Sequence, residues 1–413
     1  MATPQTTWLA NAKVVDVLSG AVDVGRYLEI GDGQIRSISP SLPPGQANVT
    51  DVEGRFVLPG LISCHTHLSI VFPMSSTDPM ENPAATALRA AKRAHDALAA
   101  GITTVRCVHE QHRVDLWLRE AKRLGWAQAP RIFGAGQAIT TPKGHGAGAA
   151  CVEAEGEDEF YRAATEELRA GADHVKIFIN GGLAGQGEDP SRSEMTDGEL
   201  AGTVRAARQH DTYVVAHSGA STAIRQALAQ GVRCFEHAYE LDQETAELLA
   251  GKGAYLTPTL IVTRCEPWMR ANNFSQATID NARAAAGGHL ESITHAIAAG
   301  IPLLCGTDLP PADDVGGLPA TVVELLLLEE AGLSRLAALQ TATTTPARLM
   351  GADGRAGQPQ ARPSRIGDAR IGQVQPGFRA DLIVVDQNPL DDLVALGSVR
   401  MVVQDGCIVR CSI

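Results

Sequence analysis

The sequence has no basic block. Its 413 residues carry 35 Lys and Arg against 47 Asp and Glu, a formal net charge of -12, and without a compensating cationic stretch a nucleic-acid partner is not expected. No apolar run reaches membrane-spanning length, and the start, "MATPQTTWLANAKVVDV", lacks the charged and apolar regions of a signal peptide. No membrane association is therefore expected, and a cytoplasmic location is. The eight cysteines (Cys64, Cys107, Cys151, Cys234, Cys265, Cys305, Cys407 and Cys411) include no CxxC pair. Most lie in apolar, strand-like stretches, so reduced and buried thiols are expected rather than disulfides. What is present, 44% hydrophobic and 20% charged residues, describes an ordinary globular protein. Its length suits one large domain plus a smaller one.

Two rhythms divide the chain. Residues 8 to about 60 alternate apolar positions with Gly-Asp-Gly turns, the pattern of short hairpins. From residue 57 onward eight apolar runs follow, at 57–67, 102–108, 130–136, 173–179, 212–218, 232–238, 254–260 and 301–308. Between them stand helix-forming stretches such as "ENPAATALRAAKRAHDALAAG" and "TDGELAGTVRAARQHD", with cap-like starts and Gly stops. Eight β-then-α units over roughly 250 residues match a (β/α)8 TIM barrel. A further helical stretch, "LSRLAALQTATTTPARLMG", comes next, then a Gly/Pro-rich linker at 351–366, then strands and turns again. The expected organisation is an α/β chain: a barrel over 59–350 and a small β-sandwich domain built from both termini, 1–58 and 360–413.

The first run, "VLPGLISCHTHLSI", ends in two histidines. In a regular strand His65 and His67 share a face while Cys64, Thr66 and Leu68 take the other, and two nitrogen ligands on one face suit a metal ion. A His-x-His pair arises easily by chance, so the remaining ligands must come from elsewhere. In a barrel they belong at the C-terminal strand ends. There the runs carry Lys176 (fourth), His217 (fifth), His237 (sixth) and Asp308 (eighth), a set that a purely packed interior would not select.

The series "GLISCHTH", "HVKIF", "VVAHS", "FEHA" and "CGTD", with "PGFRADLIVVDQNPL" near the end, resembles the amidohydrolase superfamily over nearly the whole chain, in particular its imidazolonepropionase-related, prolidase-like branch. The resemblance implies two divalent metal ions, zinc first among them. His65 and His67 would hold the more buried ion, and His217 and His237 the other. A carbamylated Lys176 would bridge them, and Asp308 would be both a ligand and the proton shuttle. The chemistry is coherent: paired ions activate a shared water and polarise the scissile carbonyl, and Asp308 passes the proton from the attacking water to the leaving amine. A lysine must lose its proton to react with CO2, and burial drives that. The resemblance also implies a homo-oligomer, and places His145, in "TTPKGHGAG", against the substrate carbonyl.

The expected activity is hydrolysis of a small-molecule amide: a dipeptide, an N-acyl amino acid, or a related amide or carbamate. The alternative within the superfamily is a cyclic-amide hydrolase or deaminase, imidazolonepropionase-like, and beyond it stands a non-catalytic barrel scaffold. Deaminases of the superfamily use one metal and a glutamate soon after the fifth-run histidine, and "AHSGASTA" has no carboxylate. Several dipeptidase relatives carry a tyrosine two residues after that histidine, where this chain has Gly219, which argues against a simple dipeptide. Arg264, Trp268 and Arg270 follow the seventh run as candidates for specificity. His174 reads as a core histidine, and His95, His210, His289 and His295, in helical patterns, read as solvated.

Overall fold

Seven of the eight apolar runs supply a parallel strand of one barrel in the computed structural model, which describes residues 6–183, 188–353 and 370–413. The strands are Leu61–Thr66, Ile102–Cys107, Arg131–Phe133, Val175–Phe178, Val214–Ala220, Cys234–Glu240 and Tyr255–Thr257. The third and fourth are tied by the Asp173 amide, which donates to the Gly134 carbonyl at 2.8 Å. The eighth run forms no continuous ladder. Pro302 removes a donor, and Asp308 turns the chain with φ of 60°. Isolated bridges Leu256↔Leu303 and Thr66↔Leu309 nevertheless close the ring, helped by the Cys64 amide donating to Cys305 at 2.7 Å. This is the TIM-barrel-like α/β fold that the eight-unit rhythm predicts.

The helices start where the sequence caps them. Asn82 accepts from the Ala84 amide ahead of Pro83–Ala99, and Thr196 with Glu199 forms a reciprocal capping box at Asp197–Gln209. Their apolar stripes pack on the outward strand face, where Val175, Ile177, Ala216 and Phe235 join Leu98, Leu168 and Leu228 in one core. The stretch read as one helix after the barrel is two, Arg335–Thr341 and Thr344–Leu349. Thr343 leaves helical geometry, and Pro346 has no N–H with which to continue the ladder.

Both chain ends meet in one eight-stranded sheet. Its order runs Cys407–Cys411, Val399–Gln404, Leu382–Val385, Phe56–Pro59, Thr7–Val15, Val22–Gly31, Gln34–Ser39, with Val49–Asp51 beside Thr7–Val15. Phe56–Pro59 pairs antiparallel with Leu382–Val385 and continues through Gly60 into the first barrel strand. The sheet has its own apolar core, including Leu9, Leu28, Val57, Leu382 and Met401. The linker expected at 351–366 falls from 354 onward outside the described residues, as does the boundary expected at 360. Five of the eight cysteines are buried, Cys151 is half-buried, Cys407 and Cys411 are exposed, and all are free thiols.

Candidate metal centre

At the C-terminal end of the barrel three ligand atoms converge. His65 Nε2 and His67 Nε2 each lie 3.0 Å from Asp308 Oδ1, and one ligand atom from each residue falls within 4.8 Å of the others. The opposite ring nitrogens are already committed. His65 Nδ1 is 2.5 Å from Glu236 Oε2, and His67 Nδ1 is 2.9 Å from the His109 carbonyl. Each partner accepts an Nδ1 proton and leaves Nε2 with its lone pair, the orientation a metal-binding imidazole requires. Burial would push the Asp308 carboxyl up, but His65, His67 and His237 outweigh it and hold it well below the usual carboxylate range.

The strict alternation expected across "SCHTH" does not hold. The ladder slips between Ser63 and Thr66, so Cys64 packs inside the barrel with Val215, Cys234 and Leu304 while His65 and His67 also face inward. Gly306 makes this possible: a Cβ there would stand 2.5 Å from the His65 amide nitrogen.

His217 and His237 complete the ring of imidazoles. Their centroids are 4.6 Å apart, and His237 lies 4.9 Å from His65. Burial, with neighbouring cationic groups adding to it, lowers both well below the ordinary histidine value, so both are neutral and able to ligate. His237 Nδ1 is 2.6 Å from Thr259 Oγ1. His237, Ala238, Thr259 and Asp308 all have φ between 51° and 64°, a concentration of left-handed non-glycine residues of the kind that marks functional sites.

Lys176 stands among them. Its side chain is 1% exposed, and Nζ is fully buried with no hydrogen-bond partner; the Phe178 ring centroid lies 5.4 Å away. Burial pulls its ammonium down to about 8, against the opposing pull of Glu236 and Asp308. Val175 and Ile177 point outward into the helix-facing core, as alternation predicts. His174 is buried, stacked on Tyr213, with Nε2 3.1 Å from the Cys107 carbonyl, as a core histidine should be.

Other buried polar groups escaped the sequence reading. Arg106 and Glu236 are both fully buried and paired at 2.6 Å. Arg106 also donates to the Cys64 carbonyl at 2.6 Å and to Thr257 Oγ1 at 3.1 Å. Burial would raise Glu236, but Arg106 and His65 hold it at about 2. Glu110 accepts from the Leu68 and Ser69 amides and so pins the chain just beyond His67. A charged residue on the inward face of an apolar run was the available signal. His289 corrects the expectation of a solvated helix histidine: it is fully buried, with Nε2 3.1 Å from the His237 carbonyl and 3.0 Å from that of Pro258. His295 and His210 are half-buried, and His95 is exposed.

A cleft of about 720 Å³, part of it open to solvent, leads down to Asp308 and His217. His145 lines it beside His217, stacked on that ring at 4.3 Å, with Nδ1 2.7 Å from Glu188 Oε2. Trp268 lines the wall. Arg264 instead spends its guanidinium on the Leu260 and Ala286 carbonyls, and Arg270 pairs with Glu266 on the surface. Gly219 has no room for a side chain, since a Cβ would meet Asn180 Nδ2 at 2.5 Å and the Pro190 carbonyl at 2.6 Å. Tyr239 stacks on His237 at 5.2 Å.

Residues 56–359 match the family model described as "Amidohydrolase family". Among curated proteins, an ochratoxinase of Aspergillus niger is 25% identical over 365 residues, 82% of this chain and 71% of that protein. Among solved structures, one titled as an amidohydrolase superposes with TM-score 0.86 at 29% identity, covering 98% of this chain and 99% of the other. A Xaa-Pro dipeptidase with bound methionine in the active site gives TM-score 0.85 at 25% identity, covering 98% and 100%. Among the described residues no helix is long and apolar enough to cross a membrane.

Proposed function

The chain belongs to the amidohydrolase family and is a hydrolytic enzyme, and from that premise we propose that it cleaves an amide bond of a small molecule with two divalent metal ions at the barrel mouth. His65, His67 and Asp308 would hold one ion, His217 and His237 the other, with a carbamylated Lys176 shared between them. When bound, such ions, zinc foremost, supply Lewis-acid activation of water and of the scissile carbonyl. The observation that carries this reading is the buried, unpartnered Lys176 Nζ. A lone ammonium there has no hydrogen bond to replace its lost hydration. As a neutral amine it adds to CO2, forming an N–C bond and releasing one proton, and the resulting carbamate would offer two oxygen ligands to ions held by the neighbouring histidines.

The chain's own groups then divide the work. Asp308 takes a proton from the attacking water and returns it to the departing amine. His145, braced by Glu188, would donate to the substrate carbonyl. The buried Arg106–Glu236 pair fixes the His65 ring. Metal content per chain, measured after reconstitution with zinc, together with turnover of N-acyl amino acids and dipeptides, tests the reading. Near two ions with amide hydrolysis is expected. Near one ion with ammonia release from a cyclic or amino-substituted ring would replace it with the mononuclear alternative, and no bound metal would overturn it.

A further inference from the structure

We infer that the half of the substrate lying in the cleft is a large, uncharged, ring-bearing group, and this rests on the amide-hydrolase reading above. The cleft is mostly apolar. Beside His145, His217 and Asp308 its polar side chains are Tyr239 and Thr278, and much of the remaining wall is Phe72, Val262, Trp268, Met269 and Phe274. No lysine or arginine lines it among the described residues. A carboxylate seated against that wall would lose its hydration and would have no lysine or arginine to pair with.

The wall is also built in advance. Trp268 Nε1 donates to Asp313 Oδ2 at 3.0 Å, which fixes the indole plane. Phe72 meets that indole at 5.2 Å with planes 71° apart, and Phe274 meets it at 5.8 Å. Trp268 and Met269 are 7% and 5% exposed. A flat apolar ring entering such a slot gains edge and face contacts and pays little ordering entropy. A small acyl group such as acetyl makes few of those contacts.

The test uses the zinc-reconstituted full chain and matched substrates in both orientations. N-acyl glycines carry acetyl, cyclohexanecarbonyl, 2-naphthoyl or 4-carboxybenzoyl groups, and glycine amides carry methylamine or 2-naphthylamine. In at least one orientation the neutral ring should raise kcat/KM over the small group by roughly 10- to 100-fold, and the carboxylated ring should lose that gain. Trp268→Leu should remove most of the preference for the ringed substrate. Because Trp268→Leu could disturb the fold, binding of 2-naphthoylglycine and acetylglycine to the wild-type protein is read in parallel by tryptophan fluorescence. Equal turnover and equal binding of ringed and small partners would overturn the inference. Selective ring binding with no hydrolysis of any amide would leave it standing and sink the amide-hydrolase reading instead.

Discussion

Replacing Arg106 by Met should be the most damaging single change away from the ligands themselves. The guanidinium is fully buried and makes four contacts: the Cys64 carbonyl at 2.6 Å, Cys234 Sγ at 3.0 Å, Glu236 Oε1 at 2.6 Å and Thr257 Oγ1 at 3.1 Å. Methionine conserves much of the volume but strands the Glu236 carboxylate, and breaking one side of a buried pair costs about 3–5 kcal/mol. Unfolding entropy near 2.1 cal/mol/K per residue over 413 residues is about 0.9 kcal/mol/K, so a loss of about 4 kcal/mol lowers the Tm by about 5 °C where unfolding is one cooperative transition. Without the guanidinium, Glu236 climbs from about 2 and its grip on His65 Nδ1 weakens, so zinc affinity should fall roughly 10- to 100-fold. The assay is a thermal melt of metal-free and zinc-loaded protein with a competitive zinc titration. The double variant Arg106→Met/Glu236→Leu removes both charges and should regain part of the lost stability. A single variant within about 1 °C of the parent, or a double variant worse than the two singles combined, would refute the reasoning.

Asp308→Asn should keep most of its metal yet lose on the order of 100-fold or more in turnover, because the amide cannot take up a proton; normal kcat at normal metal content would remove the proton-shuttle role. Ala in place of either His65 or His67, or of either His217 or His237, should drop metal content toward one ion per chain, read by elemental analysis, and abolish turnover. Lys176→Ala should lose bridged metal and activity together, with partial rescue by short carboxylic acids, and native mass spectrometry of the parent should show the added CO2. His289 predicts a pH effect: its folded value of about 4 lies below the ordinary 6.5. As pH falls from 6.5 to 4 the unfolded chain takes up a proton that the folded one refuses, so stability is constant above 6.5 and falls below it. Melts of His289→Gln across that window should show an acid slope smaller than the parent's by about one proton.

The parts of this molecule that were legible in sequence are those where one residue type breaks a long apolar pattern. Lys176 between Val175 and Ile177, and His217 after "VVA", declare themselves because regular alternation carries them inward, and the eight-run rhythm that gave the barrel is equally regular. Where the backbone departs from regularity the sequence is silent. His237 and Glu236 are adjacent, so alternation can turn only one of them inward. The positive φ of His237 brings in the second, and nothing in "FEHA" encodes that. The slip at Ser63–Thr66 does the same for Cys64 and His65. Arg106 in "TTVRCV" was passed over because its partner lies 130 residues later, a pairing that only the closed barrel creates. His289 follows Gly287 and Gly288 in a helix whose buried side shows only when the sixth strand packs against it.

The strand Phe56–Pro59 also sets a timetable for synthesis. One of its edges is covered only by Leu382–Val385, which emerges from the ribosome more than 300 residues later. Until then a row of strand amides and carbonyls stands open at the head of the first barrel strand, a template on which neighbouring chains can pair. Closing so long a loop is slow. Nascent chains that stall or are truncated before Leu382 are therefore the species from which aggregation should start, and the region around Phe56 is where a holding chaperone would be needed.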